Sequence, residues 1–68
     1  MGKNKFKTGD IIVLVNPRGM GARRGAKAVV HGYWNGYIRI HWLDSLANNQ
    51  MDGGYCEEDF NLYEREWD

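Results

Sequence analysis

The dipeptide Asn35-Gly36 lies between two runs in which apolar and polar residues alternate. A type I′ turn needs positive φ at both central residues, and Asn followed by Gly adopts this geometry readily. The dipeptide therefore predicts a β-hairpin with strands at residues 26–34 and 37–43. This feature constrains the fold most, because a two-residue turn also determines which residues lie opposite each other.

A two-residue turn at this position pairs residues whose numbers sum to 71, and opposed residues share a face of the sheet. One face is predicted to form the core: Val29, His31, Tyr33, Ile38, Ile40 and Trp42. The other face is predicted to meet solvent: Val30, Gly32, Trp34, Tyr37, Arg39 and His41. In this register His31 and His41 lie on opposite faces, which argues against a metal site that uses both.

The remaining apolar runs are separated by turn-forming residues at intervals of roughly 8–12 residues, which is typical of all-β meanders and small barrels. Asn16-Pro17 ends a β-branched run, because Pro lacks the N–H that a strand partner needs. Further strands are predicted at residues 11–15, around Tyr55 and at residues 60–63. One short helical turn is predicted at residues 57–59.

Length and cysteine content limit the class of protein. A chain of 68 residues is expected to form one domain, over residues 1–68, with an ordered core over about residues 6–63. Cys56 is the only cysteine, so no internal disulfide can form, which fits a reducing compartment. The sequence contains neither a signal-like apolar run nor the roughly 20 apolar residues of a membrane span. We therefore expect a cytoplasmic protein that does not bind membranes.

The formal net charge of zero hides two oppositely charged halves. Residues 1–41 contain eight Lys and Arg residues against one Asp, a net charge of +7. Residues 42–68 contain eight Asp and Glu residues against one Arg, a net charge of −7. Such asymmetry indicates a partner selected by electrostatics. It also permits salt-sensitive self-association, in which the basic part of one copy attracts the acidic part of another.

Two groups of residues are candidates for binding. The first is a glycine-rich basic loop, where a phosphate backbone could approach closely and release counterions. Its cations are Arg18, Arg23, Arg24 and Lys27. The second is an aromatic and cationic stripe on the predicted solvent face: Trp34, Tyr37, Arg39 and His41. Such side chains stack on nucleic-acid bases and also dominate protein interfaces. The alternatives are a solvated loop and cross-strand pairs that stabilise the hairpin.

Catalytic chemistry is not indicated. The spacing of His31, His41 and Cys56 matches no metal motif, and we expect neither a metal nor a cofactor. The carboxylates at residues 57–59 are consecutive, with no pocket that would separate two pKa values as acid–base catalysis requires. They could instead mimic a row of phosphates or form a solubilising surface. We predict no enzymatic activity, no catalytic residue and no small-molecule substrate.

The order of these signals resembles the Src-homology-3-like small β-barrels. A basic glycine-rich loop follows Phe6-Lys7-Thr8-Gly9-Asp10 and the first strand, and Tyr37-Ile38-Arg39-Ile40-His41-Trp42 closes the hairpin. Asp52-Gly53-Gly54-Tyr55 then precedes Asp59-Phe60-Asn61-Leu62. The resemblance covers about residues 6–63. Within this fold, the chain is similar to Mind-bomb-type repeats and to small phage and prophage proteins. Members of this fold bind peptides, nucleic acids or larger assemblies. A proline-peptide role is not expected, because the long first loop is basic rather than acidic.

Two functions remain open. The first is a protein-interaction module, such as a phage-type accessory protein that modulates a host enzyme or defence complex in the host cytoplasm. The second is a nucleic-acid-binding barrel that uses the basic loop and the aromatic stripe. The zero net charge favours the first, because nucleic-acid-binding domains usually carry a basic excess.

Overall fold

The computed structural model describes residues 5–65 and contains five antiparallel strands in one sheet. The strands are β1 (Ile11–Leu14), β2 (Lys27–Trp34), β3 (Tyr37–Trp42), β4 (Gly53–Tyr55) and β5 (Phe60–Glu64). Their order in the sheet is β4-β3-β2-β1-β5. The prediction of an all-β chain with five strands is confirmed. The short helical turn predicted at residues 57–59 is a 3-10 turn, Glu57–Asp59, and a second 3-10 turn, Ser45–Ala47, was not predicted.

The hairpin turn has the predicted backbone geometry. Asn35 has φ 54° and Gly36 has φ 83°, so both central residues are left-handed, as a type I′ turn requires. The strands pair directly outside the turn, with Trp34 opposite Tyr37 and Tyr33 opposite Ile38. The turn therefore determines the register at this end of the β2–β3 hairpin.

We expect Gly36→Ala to destabilise the domain by about 1–2 kcal/mol, because an L-residue with a Cβ is strained in the left-handed region. The measurement is the urea midpoint of unfolding at unchanged m-value. Asn35→Gly is the matched control, since glycine tolerates the same backbone geometry, and it should change stability by only a few tenths of a kcal/mol. Equal stability of the Gly36→Ala protein and the wild type would contradict this account of the turn.

The predicted pairing is wrong beyond Gly32, where β2 contains a β-bulge. Val30 pairs with Ile40 and Val29 pairs with His41, whereas Gly32 still pairs with Arg39. His31 is thus the extra residue, and every predicted pair further from the turn shifts by one.

The bulge reverses two burial predictions. Val30 is fully buried although it was assigned to the solvent face, and His31 is exposed although it was assigned to the core. The backbone of Val30 is held from the β1 side, because its N–H donates to Asp10 O (2.9 Å) and its carbonyl accepts from Gly9 N (2.8 Å). These bonds place the apolar Val30 side chain in the core and leave the polar His31 imidazole in water, where each is favoured.

The core is built from small and aliphatic side chains with a few aromatic rings. Trp42, Tyr55 and Phe60 form a cluster with ring centroids 5.5–6.3 Å apart. The buried apolar residues are Phe6, Ile12, Leu14, Ala22, Ala26, Ala28, Val30, Ile38, Ile40, Trp42, Ala47 and Phe60. This thin core means that single buried contacts account for a large part of the stability.

An ion pair joins the two ends of the described chain. Asp10, just before β1, is fully buried, and Arg65, just after β5, donates to both of its oxygens (3.0 and 2.8 Å). The carboxylate also accepts from Lys7 N at 2.9 Å. Because β1 and β5 are neighbours in the sheet, this pair links the first and last strands.

Candidate functional site

The outward face of β2, β3 and β4, here called the sheet face, carries the residues that the sequence placed in the aromatic stripe. Trp34 is 64% exposed and Tyr37 is 49% exposed. They lie opposite each other beside the hairpin turn. Arg39 and His41 follow Tyr37 on the same side of β3, and both are exposed. The prediction that these four side chains share one solvent face is confirmed.

Arg39 lies between two glycines. Its register partners are Gly32 on β2 and Gly54 on β4, so neither neighbouring strand presents a side chain beside it. A Cβ at Gly54 would come within 3.2 Å of Tyr37 Cβ, which shows how closely Tyr37 covers this strand. Along β3, Tyr37 and His41 flank the arginine two residues away on either side.

A groove of about 450 Å³ opens at this row of residues. Its lining includes His31, Gly32, Trp34, Arg39, Asp52 and Gly53. The groove therefore combines an aromatic wall, a cation and a floor with little side-chain bulk. These are the elements of a binding groove with few but directional polar contacts.

The bulge brings His31 next to His41, which contradicts the prediction that they lie on opposite faces. Their rings are parallel within 2°, with centroids 6.1 Å apart. His41 Nδ1 is 2.9 Å from Asp52 Oδ2, and the other oxygen of Asp52 accepts from Trp42 N at 3.1 Å. The hydrogen bond to His41, followed by that to the backbone, holds the pKa of Asp52 below its usual value.

The reason for rejecting a His31–His41 metal site was thus wrong. Even so, within residues 5–65 no cluster of three or more His, Cys, Asp or Glu side chains is arranged to hold a metal ion. Cys56 is half-buried.

Tyr33 also lines the groove, and it was predicted to be in the core. It is half-buried, and its hydroxyl donates to Glu57 and accepts from Phe6 N at 3.0 Å. Burial, followed by the hydrogen bond to Glu57, raises the pKa of Tyr33 to about 12. The hydroxyl therefore stays protonated at neutral pH and ties β2 to the 3-10 turn at Glu57–Asp59.

The basic loop is held in place by the segment that follows β3. Arg23 N donates to Leu46 O (2.8 Å), Gly21 N donates to the Gln50 side chain (2.8 Å), and Asn48 donates to Gly21 O (3.2 Å). These contacts come from residues more than 20 positions away in the sequence. The loop is thus anchored to the segment that follows β3, although most of its residues are exposed.

The four cations assigned to the loop have different environments. Arg18 donates to the buried carboxylate of Asp59 at 2.6 Å, and this hydrogen bond raises the pKa of the Arg18 guanidinium above its usual value. The ammonium group of Lys27 lies 4.8 Å from the centre of the Tyr63 ring. Arg23 and Arg24 are exposed, and neither forms an ion pair with any residue that the structure describes. Two of the four cations are therefore engaged in intramolecular contacts.

No family model, curated protein or solved structure matches this chain. Within the described residues, the structure contains no helix that is long and apolar enough to cross a membrane.

Proposed function

We propose that this chain is a non-enzymatic, cytoplasmic protein-interaction module that binds its partner through the sheet face. The observation that carries the proposal is the exposure of Trp34 and Tyr37 side by side, with Arg39 next to them. Trp, Tyr and Arg are the residue types enriched at the energetic centres of protein interfaces. A 68-residue chain with one such face would modulate a larger enzyme or complex by covering part of its surface.

Internal ion pairs favour a protein partner over a nucleic acid. Arg18 and His41, two of the predicted phosphate contacts, are already paired with Asp59 and Asp52. Asp52, which contacts His41, also lines the groove, and Arg39 is the one Lys or Arg in that lining. A nucleic acid would therefore gain little counterion release on this face.

We also propose that the sheet forms an Src-homology-3-like small barrel. Five consecutive antiparallel strands and a 3-10 turn directly before the last strand support this proposal. The strong bend that such a barrel needs is consistent with the bulge at His31, because bulges increase strand twist and curvature.

A nucleic acid remains the second candidate partner because of one observation. Arg23 and Arg24 are exposed on a loop that is fixed by backbone and side-chain hydrogen bonds. A fixed pair of exposed arginines can contact consecutive phosphates. This reading places the binding energy on the loop rather than on the sheet face.

The two candidates are separated by a double variant, Arg23→Gln/Arg24→Gln, used as bait in a nuclease-treated cell extract. If the partner is a protein bound by the sheet face, wild type and variant should capture it equally. In parallel, anisotropy of labelled single-stranded DNA and RNA of about 20 nucleotides, longer than one small barrel covers, should show no binding that weakens steeply with salt. Salt-dependent oligonucleotide binding that the double variant abolishes would overturn the protein-partner proposal.

A further inference from the structure

We infer that the groove on the sheet face receives an extended acidic segment of a partner protein, with an Asp or Glu side chain bound to Arg39. This inference rests on the proposed function and specifies the chemistry of the partner. It is carried by the position of Arg39 in the groove beside Gly32 and by its lack of an ion pair with residues 5–65.

Arg39 is the charged group in the groove that the fold leaves for a ligand. It is exposed and forms no ion pair with residues 5–65. Asp52, the acid in the same groove, has one oxygen at His41 and the other at Trp42 N. A carboxylate entering beside Arg39 therefore meets an unpaired guanidinium, which can bind it through two parallel hydrogen bonds.

Gly32, opposite Arg39 on β2, leaves room for such a carboxylate. Neighbouring strands lie about 4.8 Å apart, so this glycine opens the sheet surface on the β2 side of the arginine, whereas Tyr37 covers Gly54 on the β4 side. The aromatic wall begins directly beside this opening, because Trp34 and Tyr37 are the next cross-strand pair on the same face. An apolar residue next to the ligand's acid would pack on that wall.

The fold pairs some of its charges internally and leaves others exposed. Two carboxylates are held in ion pairs, namely Asp10 with Arg65 and Asp59 with Arg18, and Asp52 contacts His41 Nδ1. Arg23, Arg24 and Arg39 have no such partner within the described part of the chain, and neither have the exposed acids Glu58 and Glu64. The acidic preference therefore rests on the position of Arg39 in the groove and not on the overall distribution of charge.

Selection from a random peptide library tests this inference. The peptides should contain eight residues, because eight extended residues reach about 26 Å, which matches the longest dimension of the domain at 26 Å. Peptides selected by the wild type should be enriched in Asp and Glu relative to the input library. The best peptide, synthesised with a C-terminal amide so that only side-chain carboxylates remain, should bind Arg39→Gln at least about tenfold more weakly than wild type.

Arg24→Gln is the matched control, since it removes an exposed arginine outside the groove, and it should change the affinity by no more than about twofold. Circular dichroism of each variant establishes that it is folded. Selection of no peptide, selection without acidic enrichment, or equal affinity of wild type and Arg39→Gln would overturn the inference. If the selected peptides lack acids yet lose binding on Trp34→Ala, the proposed function stands and only the acidic specificity fails. If binding depends on neither residue, both fail.

Discussion

Replacing Asp10 with Ala is expected to unfold a large part of the protein at neutral pH. Removing one partner of a buried ion pair costs about 3–5 kcal/mol, and a core of this size supplies no more than roughly that amount. Asp10 is fully buried, whereas the Arg65 side chain is 24% exposed. The substitution also removes the acceptor of Lys7 N. Urea unfolding followed by circular dichroism measures the loss.

The same pair predicts how stability depends on pH. The hydrogen bonds from Arg65 hold the pKa of Asp10 below its ordinary value, against the opposing effect of burial. A carboxyl with a lowered folded pKa stabilises the protein above its unfolded pKa of about 3.9. That contribution is lost as the pH falls through the folded pKa. At pH values below about 4, the free energy of unfolding of the wild type should therefore decrease as the pH is lowered. The decrease should be smaller for Asp10→Asn.

Glu58→Ala is the matched control for the Asp10 variants. Glu58 is exposed, so its removal should change stability by no more than about 0.5 kcal/mol. A loss below about 1 kcal/mol in Asp10→Ala would contradict the assigned role of the ion pair. A loss of stability at low pH that is equal in Asp10→Asn and the wild type would contradict this role as well.

The charge asymmetry of the sequence has a structural counterpart in this pair. Asp10 is the single acid of residues 1–41, and Arg65 is the single base of residues 42–68. The two minority charges therefore pair with each other across the β1–β5 boundary. The sequence shows that both residues are unusual in their surroundings, but their contact spans 55 positions and depends on the complete sheet order.

The hairpin could be predicted from local sequence because its geometry is local. Asn35-Gly36 specifies the turn, and the turn specifies the first three cross-strand pairs. The bulge at His31 could not be predicted in this way, because Val30 beside it donates to Asp10 O and accepts from Gly9 N, two residues that precede β1. One signal was available, since glycine inside a strand often marks a bulge, and Gly32 directly follows the extra residue.

Part of the candidate site could also be predicted from the sequence, because it lies on the same local hairpin. The stripe from Trp34 to His41 lies on the two strands of the hairpin, so its exposure followed from alternation near the turn. Asp52 was missed because it lies in the loop directly before β4, and His31 was missed because the bulge displaces it. Arg18 was assigned to binding, but Asp59, 41 residues away, accepts its hydrogen bond.

Trp34→Ala is expected to abolish most partner binding while leaving the domain folded. Truncating an interface residue of this type at the centre of a contact costs at least about 2 kcal/mol, or roughly 30-fold in affinity. Trp34 is 64% exposed, so its removal takes little apolar area from the core. Thermal unfolding of the variant should therefore remain close to that of the wild type.

The most direct test of the sheet face compares three immobilised proteins in one nuclease-treated extract: wild type, Trp34→Ala and Tyr63→Ala. Tyr63 is the matched control, because it is 56% exposed on β5, outside the sheet face. Mass spectrometry quantifies the captured proteins. We predict a partner that wild type and Tyr63→Ala retain equally and that falls at least about tenfold with Trp34→Ala. Equal capture by all three proteins, or equal loss in both variants, would contradict the assignment of binding to the sheet face.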